Sequence, residues 1–283
     1  MIYLPLNPFN PVALGVRSTV QVQRYDMTLA RVVLNFPGAN AITKATISEI
    51  VVKIGARVVF GPITGLELDA MNKYRGIYDR ADALTIDFTE RDALSVVGKE
   101  IGGIDIPALY GQDIFIEVVN NAGAGTPTLT ALAGFTALQF DPSKPNPDGQ
   151  LIKKVLAYQI PTSGGTAVTW TPVLKGAVIQ RIHLKYAGTD WAGSTDGNLA
   201  RVEVKKNGVA VHGNVNCNLQ RYLLQEQRKV PQSKFYHLDF VHDNVHSAAL
   251  ATADARALEF NFTLAAPDTI RAIVECLDTP GNL

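Results

Sequence analysis

The sequence has few of the features that build disulfide scaffolds or membrane-spanning helices. Its 283 residues include only two cysteines, Cys217 and Cys276. Two cysteines are too few for a disulfide framework, so we expect reduced, partly buried thiols. No apolar run approaches the roughly 20 residues of a transmembrane helix, and the first residues lack the pattern of a signal peptide. The sequence therefore predicts a protein that is made and folded in the cytoplasm.

Charge is also scarce. Charged residues make up 18% of the chain, and 26 Lys and Arg balance 26 Asp and Glu. A soluble domain has about 25% charged residues, and nucleic-acid binding draws its affinity from clustered cations. The basic residues here occur in short pairs such as Lys205-Lys206 and Arg228-Lys229. We therefore expect no direct contact with nucleic acid and an exterior that meets protein to a large extent.

The five histidines all lie in the second half of the chain: His183, His212, His237, His242 and His246. Three of them, His237, His242 and His246, are close enough in sequence to suggest a metal site on a cupin-like barrel. The cupin pattern of His-x-His with a following Glu is absent, and we predict that His183 and His237 lie on the outward faces of their strands. Surface histidines are the favoured interpretation, and the identity of any bound metal stays unknown.

Acidic residues offer two further hypotheses. Asp87 and Asp239 could be the two carboxylates of a glycosidase, but they occupy equivalent positions in two repeated segments, which favours local structural roles. Asp190 and Asp196-Gly197-Asn198 could hold a calcium ion, because Asp and Asn oxygens suit that cation. The spacing is not that of an EF-hand, so a polar turn is favoured. No catalytic motif occurs, and we predict neither a catalytic residue nor a cofactor.

The most informative feature is an internal duplication. The alternating strand Arg201–Lys205, a turn at Asn207-Gly208, a helical patch and the strand Phe235–Phe240 recur 152 residues earlier, with a turn at Gly55 and a helix over Leu66–Tyr78. Asn-Gly between alternating segments is a strong hairpin signal. A second anchor, Arg31–Gly38 against Arg181–Gly188, recurs at an offset of 150. The chain therefore contains one β-domain plan twice.

The duplication and a proline-rich segment define the expected domains. Asp141–Gly149 has three prolines in nine residues, which indicates a stiff linker. We predict an N-terminal domain over residues 1–140 with an extended arm, a linker over 141–149 and a C-terminal domain over 150–283. About eight alternating strands in each half indicate an all-β chain of two antiparallel sandwiches or barrels. Gly188–Asn198, with Trp191, is a long polar loop that the first half lacks.

This pattern resembles the double jelly-roll major capsid proteins of tailless icosahedral bacteriophages with an internal membrane, and among them the corticovirus-type coat protein. The resemblance lies mainly in the second half, in the segments Leu151–Lys154, Arg181–Gly188, Val202–Gly208, Leu219–Gln227 and Phe235–Phe240. It implies two tandem eight-stranded antiparallel jelly-roll barrels and a structural role in the virion. The Gly188–Asn198 loop is longer than the family pattern.

The resemblance also implies partners. A homotrimer would form a pseudo-hexagonal capsomer, and capsomers would meet neighbouring capsomers, pentons, and minor capsid or membrane proteins over a lipid vesicle. The arm Met1–Val12 carries apolar side chains without an obvious core, so we expect it to contact a neighbouring subunit or the viral membrane. The alternatives are a two-domain β-sandwich that binds carbohydrate or forms a spike, with Trp191 as its exposed aromatic, and a cupin-like enzyme.

Overall fold

The computed structural model describes residues 1–37, 42–121, 126–137, 151–162, 164–280 and 282. They form two compact units. The first comprises Met1–Lys73, Ile77–Leu156 and Leu277–Leu283, and the second comprises Tyr74–Gly76 and Ala157–Cys276. The predicted linker over 141–149 lies outside the described residues, and the predicted domain limits stay a prediction. No helix in the described residues is long and apolar enough to cross a membrane.

Among its described residues, the first unit contains nine complete strands and two α-helices. In chain order they are β1 (Ile2–Pro5), β2 (Arg17–Val22), β3 (Thr28–Asn35), β4 (Ile47–Ile54), β5 (Arg57–Ile63), α1 (Gly65–Tyr74), β6 (Ala83–Asp87), α2 (Val96–Glu100), β7 (Ile104–Asp105), β8 (Ile114–Asn120) and β9 (Thr130–Thr136). Strand β10 (Ile152–Ile160) begins in this unit and continues into the second.

Two open sheets make up the first unit. One has the order β1-β9-β3-β6, with the short β7 on β3, and the other has the order β5-β4-β8-β2. Strand β5 also pairs with β10, in parallel, through Phe60 with Val155 and Gly61 with Leu156. Side chains alternate between buried and partly exposed along β8, with Ile114, Ile116 and Val118 buried on one face. The period-two pattern of the sequence predicted this face.

The second unit repeats this plan. Its elements are the rest of β10, β11 (Ala167–Trp170), β12 (Val178–Tyr186), β13 (Leu199–Lys206), β14 (Val209–Asn216), α3 (Cys217–Glu226), β15 (Phe235–Asp239), β16 (Leu250–Ala251), β17 (Leu258–Leu264) and β18 (Ile270–Asp278). The sheets have the orders β10-β18-β12-β15, with the short β16 on β12, and β14-β13-β17-β11. Each strand of one unit thus has a counterpart at the same place in the other.

The correspondence extends to the bounds of single elements. Adding 152 to the bounds of β4, α1 and β6 gives the bounds of β13, α3 and β15. The duplication read from the sequence therefore holds for eight principal strands in each unit. One detail differs from the expectation, because each unit consists of two open sheets and not of a closed barrel.

Local sequence signals explain the turns and the helix start. Asn207 and Gly208 both have positive φ, 53° and 80°, as a type I′ hairpin turn requires. Thr64 followed three residues later by Glu67 is a sequence pattern that predicts a capping box, and in the structure each side chain accepts a hydrogen bond from the other's backbone N–H. The helical spacing in the sequence predicts an apolar stripe of Leu66, Ala70, Tyr74 and Ile77. This prediction was partly wrong, since Tyr74 and Ile77 are buried but Leu66 is exposed, and Leu68 and Met71 are buried as well.

The expectation that the N-terminal arm stands apart from the first domain was also wrong. Residues Ile2–Pro5 form β1, which pairs antiparallel with β9. Leu6 and Phe9 are buried in the core. Strand β1 lies at the edge of its sheet, so it pairs with a neighbouring strand on one side only. Pro5, which has no backbone N–H to donate, is tolerated in such a strand. The arm is therefore the first strand of the first unit.

Candidate functional site

The second unit contains a cluster of six buried polar side chains. Strands β12 and β15 pair so that Arg181 lies opposite Asp239 and His183 lies opposite His237. Glu275 on β18 and Tyr74, the last residue of α1, complete the cluster. Its members are Tyr74, Arg181, His183, His237, Asp239 and Glu275, and all are buried. The six side chains are joined by direct hydrogen bonds.

Hydrogen bonds fix the proton positions on the two histidines. The backbone N–H of Gln232 donates to Nε2 of His237 at 3.2 Å, so the proton of this imidazole is on Nδ1. That proton is donated to Nδ1 of His183 at 2.7 Å, and Nε2 of His183 then donates to Oε1 of Glu275 at 3.0 Å. Every donor meets an acceptor only when both imidazoles are neutral.

A second set of bonds holds the carboxylates. Arg181 donates to Oδ2 of Asp239 at 3.2 Å and to Oε2 of Glu275 at 3.3 Å, and the Tyr74 hydroxyl donates to Oδ2 of Asp239 at 2.8 Å. Burial, together with the charge of Asp239, raises the pKa of Tyr74 well above its usual value. Burial, together with the neighbouring His183, lowers the pKa of His237 well below its usual value.

The prediction that His183 and His237 face outward was wrong. Both side chains are almost fully buried, with 0% and 2% of their surface exposed. The alternation correctly put the two histidines on the strand face opposite Ile182 and Leu238. The face that carries the histidines is also covered, partly by Tyr74, which stacks on His237 with ring centroids 4.1 Å apart. A cluster without solvent access does not bind a dissolved substrate, and its role is structural.

The other three histidines do not join this cluster. His212 lies 3.3 Å from the Tyr236 hydroxyl, and burial lowers its pKa to about 4. His242 is exposed, and His246 contacts Gln180 at 3.0 Å. The hypothesis of a metal site built from His237, His242 and His246 therefore has no geometric support. Among the described residues, no group of three or more His, Cys, Asp or Glu side chains could hold a metal ion.

The two carboxylates considered as a catalytic pair have the same local role in each unit. Asp87 accepts the backbone N–H of Thr89 at 3.2 Å, and Asp239 accepts that of Val241 at 2.9 Å. Each is also opposed by an arginine on the paired strand: Arg31 lies 3.9 Å from Asp87, and Arg181 lies 3.2 Å from Asp239. The duplication therefore includes a buried Arg–Asp pair that holds two strands together.

The Gly188–Asn198 loop is held by hydrogen bonds to the rest of the second unit. Asp190 accepts the Ser233 hydroxyl at 2.5 Å and the backbone N–H groups of Trp191 and Lys234 at 2.9 and 2.8 Å. Asp196 accepts the N–H of Asn218 at 2.7 Å. Several donors surround the Asp190 carboxylate and one backbone N–H meets that of Asp196, which supports the interpretation as a polar turn. A calcium ion there would have to displace these donors.

Trp191 is not the exposed aromatic that a carbohydrate site at the loop tip would use. Its side chain is half-buried, and the Arg221 guanidinium lies 3.3 Å above the ring centroid. Gly197 packs directly against Tyr186, because a Cβ at that position would lie 2.0 Å from the Tyr186 hydroxyl. Cys217 at the start of α3 and Cys276 in β18 are free and buried, in agreement with the expected thiols.

Sequence reasoning missed three members of the buried cluster: Tyr74, Arg181 and Glu275. One signal was present, since Arg181 opens the anchor segment that repeats Arg31–Gly38, and both arginines pair with repeated aspartates. Nothing in the sequence indicated Tyr74 or Glu275. Tyr74 lies about 100 residues before Arg181 in the sequence, and Glu275 lies about 100 residues after it.

Comparison with known proteins agrees with this architecture. Residues 3–139 match the family described as viral coat protein P2 N-terminal domain, and residues 152–280 match the viral coat protein P2 C-terminal domain. A search of curated proteins returned no match.

Solved structures show the same fold at low identity. The major capsid protein P2 from bacteriophage PM2 is 17% identical with a TM-score of 0.81, covering 98% of this chain and 97% of that chain. A chain from Sulfolobus turreted icosahedral virus is 12% identical with a TM-score of 0.71, covering 99% and 91%. A chain from the PBCV-1 virus capsid is 8% identical with a TM-score of 0.61, covering 99% and 94%. The prediction of a double jelly roll is confirmed.

Family membership, the repeated jelly-roll plan and the structural nature of the buried cluster lead to the same conclusion. The chain belongs to the viral coat protein P2 family, and it is a structural protein of the virion capsid and not an enzyme.

Proposed function

We propose that this chain is the major capsid protein of an icosahedral virus, and that three copies form a pseudo-hexagonal capsomer. The observation that carries the proposal is the duplication, because both units have the same strand order and element bounds. Three such chains around a threefold axis present six similar units, which fill the sixfold positions of a lattice. Closed cyclic symmetry also covers sheet edges that would otherwise pair without limit.

The low charge of the chain supports an interface that is mainly apolar. With 18% charged residues, an extensive interface would resemble a domain core and would bury more than about 2,000 Å². Such an interface survives moderate salt, whereas surface ion pairs are screened. We therefore expect the trimer to persist when the ionic strength is raised.

The wider assembly is part of the same proposal. Capsomers would tile over an internal membrane and would meet neighbouring capsomers, pentons, and minor capsid or membrane proteins, without direct contact with nucleic acid. The chain would be synthesised in the host cytoplasm. The exposed side chains of Met1, Ile2 and Tyr3 in the N-terminal segment would contact either a neighbouring subunit or the viral membrane.

Light scattering on the purified protein at high salt tests the trimer. A mass near three times 30.6 kDa is expected, with shells or hexagonal sheets in electron micrographs at higher concentration. A stable monomer at micromolar concentration contradicts the capsomer. Glycan-array binding by such a monomer would favour the carbohydrate-binding alternative.

A further inference from the structure

The outer edge of β14 is open to another strand. Strand β14 pairs with β13 on one side, and no strand in the described residues pairs with its other side. Its side chains are mostly exposed, and Val209 and Val211 have 68% and 43% of their surface accessible. The strand Val-Ala-Val-His-Gly-Asn-Val-Asn contains no proline and no acidic or basic residue besides one histidine. It lacks the charges and prolines by which edge strands avoid pairing.

The first unit shows how the equivalent edge is covered. Strand β5 holds the place in its sheet that β14 holds in the second unit. Its outer edge pairs in parallel with β10, where Phe60 faces Val155 and Gly61 faces Leu156. Val59 and Phe60 are buried, in contrast to their counterparts Val211 and His212 on β14. The fold therefore accepts a parallel strand at this edge.

The strand that is equivalent to β10 is β1. Strand β10 lies at the edge of the sheet β10-β18-β12-β15, and β1 lies at the edge of the sheet β1-β9-β3-β6. The outer side of β1 has no strand partner among the described residues. Met1, Ile2 and Tyr3 have 56%, 56% and 50% of their surface accessible. Within one chain β5 pairs with β10. The equivalent strands β14 and β1 each have an outer edge without a strand partner among the described residues.

We infer that β1 of one copy pairs in parallel with β14 of a neighbouring copy, so that the contact made by β10 and β5 within a chain is repeated between chains. Each copy gives β1 to one neighbour and receives the β1 of the other on β14. This head-to-tail contact closes in a ring of three. The inference rests on the capsomer proposed above, and it assigns the interface.

Cysteine cross-linking tests the contact. Tyr3→Cys is combined in turn with Val209→Cys and Val211→Cys, two exposed positions on either side of Ala210 in β14. Oxidation should link chains into covalent dimers and trimers in at least one combination, since adjacent strands bring Cα atoms within disulfide range. An equimolar mixture of the two single variants should give dimers only.

The matched control places the second cysteine on the opposite edge of the same sheet. Ala167 is exposed on β11, so Tyr3→Cys with Ala167→Cys should remain monomeric on a non-reducing gel. The native Cys217 and Cys276 are buried and serve as the common background.

A charge on the edge gives an independent measurement. Val211→Lys should abolish the trimer at micromolar concentration and leave a folded monomer by circular dichroism, whereas Thr169→Lys on β11 should remain trimeric.

A trimer that persists in Val211→Lys, with no cross-link in any combination, overturns this interface and leaves the capsomer intact. A wild-type monomer contradicts both. Shielding of Tyr3→Cys from a water-soluble maleimide by liposomes, but not by trimer formation, would assign β1 to the membrane and overturn the inference.

Discussion

His183 and His237 face each other across β12 and β15, with their Nδ1 atoms 2.7 Å apart in the core of the second unit. This contact permits one proton between the two nitrogens, and the outer nitrogens are already committed to Glu275 and to the Gln232 N–H. An additional proton on His237 would point at the Gln232 N–H, and one on His183 would point at the proton of His237. The arrangement therefore requires two neutral imidazoles.

The first prediction is that acid destabilises the second unit through His237. Its pKa is lowered in the folded state, by burial and by His183, so below about pH 6.5 the unfolded chain binds the proton more readily. The stability is present above this pH and is lost as the pH falls, by up to about 1.4 kcal/mol per pH unit for each proton taken up. Urea denaturation between pH 8 and pH 4 measures the slope.

Histidine variants separate the contributions to this slope. His237→Phe should be less stable at pH 8, because it leaves the Gln232 N–H and Nδ1 of His183 without their partner, but its pH dependence should be flatter. His212, whose pKa burial lowers to about 4, acts in the same direction, so His212→Asn should flatten the slope further. The exposed His242→Asn removes only the charge that adds to burial in lowering the pKa of His212, so it should change the slope least. An unchanged slope in His237→Phe would remove His237 as the cause.

A buried ion pair in the first unit gives the second prediction. Nζ of Lys153 lies 2.5 Å from Oε1 of Glu90, and 1% and 3% of the two side chains are exposed. Lys153→Met should destabilise the protein by about 3–5 kcal/mol, because it removes a cation that is paired with a buried carboxylate. The double variant Lys153→Met/Glu90→Leu should recover most of this loss.

Chemical denaturation of these variants supplies the measurement. The partly exposed pair Arg24–Asp113 is the control, and Arg24→Met should cost less than about 1 kcal/mol. If the single and double variants at Lys153 are equally unstable, the loss comes from packing and not from the unpaired charge.

The third prediction concerns the N-terminal segment, where the structure separates two kinds of residue. Phe9 is buried in the first unit, so Phe9→Ala should cost about 3–5 kcal/mol of stability. Tyr3 is half exposed, and Tyr3→Ala should change the unfolding free energy of the monomer by less than about 1 kcal/mol. Thermal unfolding checks both variants. Equal stabilities would mean that the segment is a detached arm, as the sequence first indicated.

The fourth prediction is that the hairpin between β13 and β14 requires its glycine. Gly208 has a φ of 80°, which a β-branched residue resists, so Gly208→Val should cost about 1–3 kcal/mol. Gly213 lies in β14 without a positive φ, and a Cβ at that position would meet no atom within 4 Å, so Gly213→Val should be nearly neutral. Equal melting temperatures for Gly208→Val and the unchanged protein would refute the requirement.

The sequence by itself determined the elements and their repetition. Alternation with a period of two predicted strands over Arg201–Lys205 and Phe235–Phe240, which the structure has as β13 and β15. Asn207-Gly208 predicted a hairpin, because these residue types readily adopt the positive φ that its turn requires. The capping box at Thr64 and Glu67 is equally local. Each of these signals acts within a few residues, so each can be read along the chain.

Only the tertiary structure decided what covers each face and edge. Alternation predicted that His183 and Ile182 lie on opposite faces of β12, but it could not show that both faces are buried. The face that carries His183 is covered by Tyr74 and Glu275, which lie about 100 residues away from it in the sequence. The pairing of β1 with β9 joins residues about 130 positions apart, and for that reason the sequence indicated a free arm. Burial and edge pairing depend on such long-range contacts, which no local pattern encodes.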